Sequence, residues 1–183
     1  MVAEPSLTRS ASPGRDEPLP LQTTAGAIVL RPERTEDTDF LFTVFRSHKL
    51  PELAAMPIDG ATREALVRSQ FQAQAMSYRA WFPLARFDIV EHDGLPIGRI
   101  VIDPGGDTAC IVDFALLPAH QGRGLGSAIL AAVLQHLAPL RRPVRCKVLV
   151  HNEPSIRMCR RVGFRHIGGG PPFLQLEWQP AAA

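Results

Sequence analysis

Three glycines at every second position, Gly122, Gly124 and Gly126, form the stretch of this sequence best suited to bind a ligand. An apolar run rich in strand-forming residues precedes them, and residues 128–137 follow with apolar side chains at helical spacing. The pattern predicts a strand, a glycine loop and a helix. The first turn of a helix has backbone N–H groups without acceptors and the positive end of the helix dipole. The loop is therefore suited to hold an anion, most naturally a diphosphate.

Three kinds of protein build such a loop, and the spacing separates them. A P-loop needs Gly-x-x-x-x-Gly-Lys-Ser/Thr, but no Lys-Ser or Lys-Thr pair follows these glycines. A dinucleotide fold needs Gly-x-Gly-x-x-Gly in its first strand–helix unit, whereas this loop is Gly-x-Gly-x-Gly and lies two-thirds along the chain. Residues 121–126 resemble the Gln/Arg-x-x-Gly-x-Gly loop of the GNAT N-acetyltransferase superfamily. On the loop alone, a turn without a ligand stays open.

A second stretch, residues 152–164, resembles the other GNAT signature, Asn-x-x-Ala-x-x-x-Tyr-x-x-x-Gly-Phe. Asn152, Gly163 and Phe164 match it at the correct intervals. The resemblance covers residues 27–178 and implies an α+β fold, a three-layer α/β/α sandwich. The expected sheet is mixed, mostly antiparallel and seven-stranded, with a splayed parallel pair, and four helices accompany it.

The resemblance also implies acetyl-coenzyme A as cosubstrate, and no metal. Its pantetheine arm would lie in the gap between the splayed strands, and its diphosphate would lie on the amides of residues 122–127. The residues implied to bind it are Leu116, Leu117, Gln121, Gly122, Arg123, Gly124, Leu125, Gly126, Ser127, Asn152 and Ser155.

The sequence departs from the family at Cys159, which stands where the family has a tyrosine that protonates the leaving thiolate. Tyr78 is the only tyrosine of the chain. Three interpretations stay open. Cys159 donates the proton, since an ordinary thiol pKa of about 8.5 suits that role. Alternatively, Cys159 is only a small buried residue, and water or Tyr78 protonates the thiolate, or the thiolate leaves without an acid. Or Cys159 is acylated as a nucleophile, which would require a lowered pKa.

Direct transfer needs an amine that has lost its proton before attack, and Asp113 is the carboxylate best placed by sequence to remove it. It lies three residues before Leu116 on the strand expected beside the thioester. Asp113 would act as base directly or through a water molecule. A purely structural, hydrogen-bonded aspartate is the alternative.

The remaining elements must position these residues. A strand is expected over residues 27–31, a helix with Thr35 or Asp37 as its cap, an irregular connection over residues 50–60, and a second helix from Thr62. Asp93-Gly94 predicts a hairpin, and residues 109–117 return as a third antiparallel strand. The rest of the chain is expected to form a strand over 144–150, a helix capped by Asn152, and strands over 164–167 and 173–178. Three consecutive antiparallel strands followed by a single strand–helix unit also disfavour a dinucleotide fold.

The 183 residues suit one domain, which we place at residues 26–180, after a mobile proline-rich tail over residues 1–25. A net charge of +2 is too small to indicate a nucleic acid or an anionic membrane as partner. No apolar run has the roughly 18 residues of a membrane helix, and no signal peptide is evident, so a cytoplasmic protein is expected. Three cysteines, none in a CxxC pair, suggest reduced thiols.

The leading hypothesis is an N-acetyltransferase that passes an acetyl group from acetyl-coenzyme A to a primary amine within a ternary complex. The acceptor would be a small molecule or a peptide, contacted by residues 32–82 and 168–173. The alternative is a non-catalytic acyl-coenzyme A sensor or partner module that retained the loop and lost its acid. The apolar last strands would also suit a homodimer.

Overall fold

The computed structural model describes residues 16–181, which fold into one eight-stranded sheet with two helices on each face. The strands are β1 Leu19–Leu21, β2 Ile28–Pro32, β3 Arg86–His92, β4 Leu95–Asp103, β5 Ala109–Leu116, β6 Val144–Leu149, β7 Arg165–Gly170 and β8 Phe173–Trp178. The helices are α1 Thr38–Leu53, α2 Gly60–Trp81, α3 Leu125–Leu137 and α4 Glu153–Arg161. The spatial order is β1-β2-β3-β4-β5-β6-β8-β7, and β5–β6 is its parallel pair.

Local signals fix several of these elements. Asp93 and Gly94 both have positive φ, 50° and 78°, as a two-residue type I′ turn between β3 and β4 requires. Asp59 begins α2 as its N-cap, because its Oδ1 accepts from the Thr62 N–H at 2.9 Å. Asn152 does the same for α4, where its Oδ1 accepts from the Ser155 N–H at 3.2 Å.

The sheet separates two apolar cores. Alternate strand residues point to opposite faces, so Val90 packs in the larger core with α3 and α4, whereas its neighbour Ile89 packs with α1 and α2. In the smaller core, the Phe71 ring of α2 meets the rings of Phe42 and Phe45 of α1 at centroid distances of 5.5 and 5.6 Å. The result is the predicted three-layer α/β/α arrangement.

The β5–β6 pair opens partway along its length. The two strands pair from Ala109↔Val144 to Ile111↔Cys146 and no farther. The register of β5 against β4 shifts at the same place, where Val101 pairs with Asp113 and Ile102 with Ile111, so Val112 is an extra residue in β5. Such a bulge bends its strand. Because the bulge and the end of pairing coincide, the second half of β5 diverges from β6, as the predicted splay requires.

The structure corrects three boundaries. The sheet has eight strands, not seven, because β1 pairs with β2 inside the segment that we expected to be mobile; residues 1–15 of that segment lie outside the described residues. The predicted irregular stretch from residue 50 is wrong in its first part, since α1 continues through Pro51 to Leu53. The strand expected over residues 164–167 is β7, which extends through its glycines to Gly170.

Candidate functional site

A cavity of about 640 Å³ lies where β5 leaves β6, between the glycine loop, α4 and the last turns of α1. One of its ends contains the glycine loop, and the other contains Arg99 and Asp113 on the face of the sheet that α1 and α2 cover. Its lining comprises Val44, Phe45, His48, Lys49, Glu52, Gln74, Arg99, residues 113–116, Gln121, Gly122, Gly124, Gly126, Ser127, Asn152, Pro154, Ser155, Arg157, Met158 and Arg161.

The glycine loop fits a diphosphate. Within residues 16–181, the backbone N–H groups of residues 122–127 have no acceptor, and the first amide of α3 to be bonded is that of Ala128, to the Gly124 carbonyl oxygen at 3.0 Å. Gly122 and Gly124 have φ of 76° and 81°, in the left-handed region that glycine tolerates. A Cβ added to either would meet no atom within 4 Å, so the backbone borders open space. Unpaired amides at the amino end of a 13-residue helix attract an anion.

Two arginines of α4 add positive charge beside this loop. Arg157 and Arg161 both line the cavity. Arg161 donates to Ser127 Oγ at 3.4 Å, and Arg157 lies 3.8 Å from Glu153 in an exposed ion pair. Both side chains therefore add positive potential at the end of the cavity where a phosphate would lie.

Side chains partly cover the edge of β5 that faces the gap between β5 and β6. The Leu116 carbonyl oxygen accepts from Gln121 Nε2 at 2.6 Å, and His48 Nε2 lies 3.1 Å from the same oxygen. The Leu117 N–H donates to Ile97 of β4 at 2.8 Å and is not free for a ligand. Of the two residues expected beside the pantetheine, Leu116 lines the cavity and Leu117 does not.

Asp113 lies in the cavity in a charged cluster. Its Oδ2 is 3.3 Å from Arg99 Nε, and about a quarter of its side chain (23%) is exposed. Burial raises the pKa of this carboxyl group, while the charges of Arg99 and His48 oppose that rise. The ring of Tyr78 lies 5.9 Å from the Arg99 guanidinium carbon. Burial and the nearby Asp113 charge raise the pKa of Tyr78 to about 12, so its hydroxyl stays protonated at neutral pH.

Cys159 lies apart from the cavity. Its residue is 4% exposed within the larger core, and its Sγ is 3.9 Å from Cys146 Sγ on β6. The hydrogen bond to Cys159 and burial both raise the pKa of Cys146. The neighbouring Met158, rather than Cys159, faces the cavity, and its Sδ would lie 3.1 Å from a Cβ built on Gly126.

Most of the residues predicted to bind the cosubstrate are brought together here. Arg123, exposed on the loop, and Leu125, buried under it, do not line the cavity. The residues that do are Leu116, Gln121, Gly122, Gly124, Gly126, Ser127, Asn152 and Ser155.

Sequence reasoning missed the residues that α1, α2 and β4 contribute. Arg99 carried a signal, because it is the one charged residue in the otherwise apolar run 95–102. His48 carries none, and the pattern at Gln74 favours a solvated face over a substrate contact, since each is a polar residue on an amphipathic helix. Their position over β5 depends on how α1 and α2 pack on the sheet.

The described part of the chain has neither a membrane-spanning helix nor a cluster of metal ligands. No helix within residues 16–181 is both long and apolar enough to cross a bilayer. In the same range, no group of three or more His, Cys, Asp or Glu side chains is arranged to hold a metal ion.

Solved structures share this fold over most of the chain. RimJ of Mycobacterium smegmatis, in complex with a coenzyme A disulfide, aligns with a TM-score of 0.64 at 22% identity, over 90% of this chain and 88% of its own. The PaiA N-acetyltransferase of Thermoplasma acidophilum, in complex with coenzyme A, gives 0.63 at 17% identity over 83% and 98%. An acetyltransferase of Thermus thermophilus gives 0.61 at 23% identity over 88% and 99%. At these identities, the likeness concerns the fold.

A comparison with curated proteins gives no match. The sequence model described as the acetyltransferase (GNAT) family matches residues 57–164, which run from the start of α2 through the glycine loop to the end of the α4 motif. This match spans more than half of the 183 residues and includes both motifs noted in the sequence. The chain therefore belongs to the GNAT acetyltransferase family.

Proposed function

We propose that this protein is an N-acetyltransferase that transfers the acetyl group of acetyl-coenzyme A directly to a primary amine. One observation carries the proposal: the unpaired amides of the glycine loop and the carboxylate of Asp113 line the same cavity. A diphosphate held at one end and an amine held at the other would share one space. When bound, acetyl-coenzyme A supplies an acetyl group that is activated as a thioester.

Asp113 supplies the base in this proposal. An amine enters as an ammonium ion and must lose a proton before its nitrogen can attack. Asp113 takes that proton, directly or through one water molecule, and Arg99 stabilises the carboxylate before the transfer. The C–N bond forms as the C–S bond breaks, the attacking nitrogen releases its surplus proton to solvent, and the thiolate recovers a proton from solvent. Because burial raises the pKa of Asp113, its carboxylate is a better proton acceptor than an exposed aspartate.

Cys159 has a packing role in this scheme. A group that transfers a proton must lie within about 3 Å of its partner or reach it through one water, but the Cys159 thiol is enclosed between α4 and β6. A thiol with a pKa of about 8.5 also leaves readily as a thiolate near neutral pH, so transfer does not require an acid at this position.

The test of the base is Asp113→Asn, which keeps the size of the side chain and removes its ability to accept the proton. We expect kcat to fall about 100-fold with any accepted amine, within the range usual for loss of a general base. In the unsubstituted enzyme, kcat should fall on acidification as Asp113 becomes protonated. The raised pKa places that fall at a higher pH than for an exposed aspartate. The variant should lack this limb of the pH profile.

The measurement is release of free coenzyme A thiol against a panel of amines. Arg46→Gln serves as the control, because Arg46 forms a half-exposed pair with Glu64 away from the cavity. A loss of less than about threefold in Asp113→Asn would remove Asp113 from the role of base. Binding of coenzyme A without thiol release from any amine would instead favour the acyl-coenzyme A sensor.

A further inference from the structure

Arg99 is a buried cation without a hydrogen-bond partner. Its side chain is 5% exposed, yet within residues 16–181 it makes no hydrogen bond, and its Nε is fully enclosed without an acceptor. Asp113 Oδ2 lies 3.3 Å from that Nε but is not aligned to accept from it. A guanidinium group has five N–H donors in a planar fork, and donors buried without acceptors cost free energy. Within the described residues, the two Nη groups also make no hydrogen bond and, unlike Nε, are not fully enclosed, so they have unused capacity for an anionic acceptor in the cavity.

Two cavities meet at this arginine. The larger one is the site described above, and a second, of about 360 Å³, extends from Arg99 beneath the first turns of α1. Both apolar and polar side chains line the second cavity. The apolar ones are Leu41, Phe71, Ala75 and Phe87, and the polar ones are Glu33, Arg34, Thr35, Thr38 and Arg79.

Within the described chain, most other charged side chains of both cavities are already paired, and the exception, Arg161, lies beside the glycine loop. In the larger cavity, Lys49 Nζ lies 2.6 Å from Glu52 Oε2. In the second, Arg79 binds Glu33 and lies 4.6 Å above the Phe87 ring, so Glu33 is occupied. Among the acidic groups of these linings, Asp113 is the one within 4 Å of Arg99, and the proposed function requires it to take up a proton during transfer. At that moment Arg99 would lack a counter-charge unless the ligand brings one.

We infer that the acceptor is a small amine that carries a carboxylate close to its nitrogen, as an α-amino acid does, and that Arg99 binds this carboxylate. This inference rests on the proposed function. The amine would lie at Asp113, the carboxylate would lie at Arg99, and the remaining substituent would enter the second cavity, whose apolar part suits a hydrocarbon side chain. Arginine recognises carboxylates through two parallel hydrogen bonds, which single out a planar anion over a neutral amide.

The test compares leucine with leucinamide, which differ only in the replacement of the carboxylate by a neutral carboxamide. We expect kcat/KM to be at least about tenfold higher for leucine, a difference of about 1.4 kcal/mol. The amine of leucinamide is the less basic of the two, so basicity favours the amide and cannot create a preference for the acid. Calorimetric titration of each compound into the protein, which needs no turnover, should show the same order of affinity.

Arg99→Gln should bring the two kcat/KM values within about twofold, chiefly through a higher KM for leucine. Arg99→Lys keeps the charge but not the fork and should retain part of the preference. Arg46→Gln is the matched control and should leave the ratio unchanged, because Arg46 lies outside both cavities.

Equal or better turnover or binding of leucinamide by the unsubstituted protein would overturn the inference while leaving the acetyltransferase intact. The same conclusion would follow if Arg99→Gln, folded by circular dichroism, kept the full preference for leucine. If the protein neither binds coenzyme A nor releases thiol with any amine, the proposed function fails, and the ratio of leucine to leucinamide binding still tests Arg99 on its own.

Discussion

At the scale of single residues, the exchange of the family's tyrosine for Cys159 has a local explanation. The position faces β6 rather than the cavity, and its neighbour there is the Cys146 thiol at 3.9 Å. A cysteine side chain ends inside this core and packs like a small apolar residue.

We therefore expect Cys159→Ala to keep kcat/KM within about threefold and to lower the free energy of unfolding by about 1 kcal/mol, through loss of a buried atom. Thiol release and urea unfolding check the two parts. Cys110→Ala is the control, because Cys110 is a half-buried thiol outside the cavity. A loss of kcat of about 100-fold or more in a folded Cys159→Ala protein would show that the thiol takes part in the chemistry.

The sequence predicts this site unevenly, for a physical reason. The glycine loop and the Asn152 cap are governed by neighbours a few residues away, so their patterns are local and readable. The surroundings of Asp113 and Arg99 depend on which helices cover β4 and β5. Asp113 could be named as a carboxylate beside the gap, but its partner Arg99 is 14 positions away and is brought near by the pairing of two strands.

At the scale of elements, the approach of β4 to β5 determines the shape of the cavity. Gly98 pairs with Leu116 at the cavity wall. A methyl group at Gly98 would overlap the Ala115 carbonyl oxygen and lie 3.0 Å from Leu116 Cα. The absent side chain thus lets the two strands run close together, next to the Leu116 carbonyl that Gln121 and His48 contact.

We expect Gly98→Ala to lower the free energy of unfolding by about 1–3 kcal/mol, as overpacking does, and to weaken coenzyme A binding, because β5 must move where it lines the cavity. Denaturant unfolding and calorimetry measure the two effects. Gly106→Ala is the matched control: a Cβ there meets nothing within 4 Å, and its φ is not left-handed. Unchanged stability and affinity in Gly98→Ala would contradict this account of the wall.

The sequence predicts the elements that have local signals, and it misses features such as β1 that depend on contacts with distant residues. The Asp93-Gly94 hairpin follows from two residues. Strand β1 has only three residues in a proline-rich segment, and it forms because Leu19 and Leu21 bury against the larger core while pairing with β2. Helix α1 continues past Pro51 to Leu53, although proline removes a donor. The carbonyl oxygens of Pro51 and Leu53 accept hydrogen bonds from the residues that follow the helix.

At the scale of the whole molecule, the described chain is two helical layers on one sheet, and a buried ion pair links the N-terminal segment to that sheet. Asp88 of β3 is 1% exposed. Its two carboxylate oxygens accept from Arg86 Nε at 2.9 Å and Nη2 at 3.1 Å. Arg86 Nη2 also donates to the Glu17 carbonyl oxygen at 2.9 Å, just before β1. One guanidinium thus compensates a buried carboxylate and holds the segment that adds the edge strand.

Removal of this guanidinium should destabilise the fold in a pH-dependent way. Burial raises the pKa of Asp88, and the hydrogen bonds from Arg86 oppose that rise. In Arg86→Met the opposing effect is lost, so the pKa of Asp88 in the folded state rises further above its value in the unfolded chain. A group with a raised pKa in the folded state stabilises the fold at low pH and loses that contribution as pH rises through the folded pKa. The penalty of the substitution should therefore grow with pH.

We expect Arg86→Met to lower the free energy of unfolding by about 3–5 kcal/mol at pH 8, as loss of one partner of a buried pair does, and by clearly less at pH 5. Urea unfolding at the two pH values measures the difference. Arg46→Met is the matched control, since its pair with Glu64 is 46% and 37% exposed and should contribute no more than about 1 kcal/mol at either pH. An equal penalty for Arg86→Met at pH 5 and pH 8 would mean that Asp88 does not titrate in the folded protein over this range. The destabilisation would then come from other contacts of Arg86, among them the hydrogen bond to Glu17 that precedes β1, rather than from an uncompensated carboxylate.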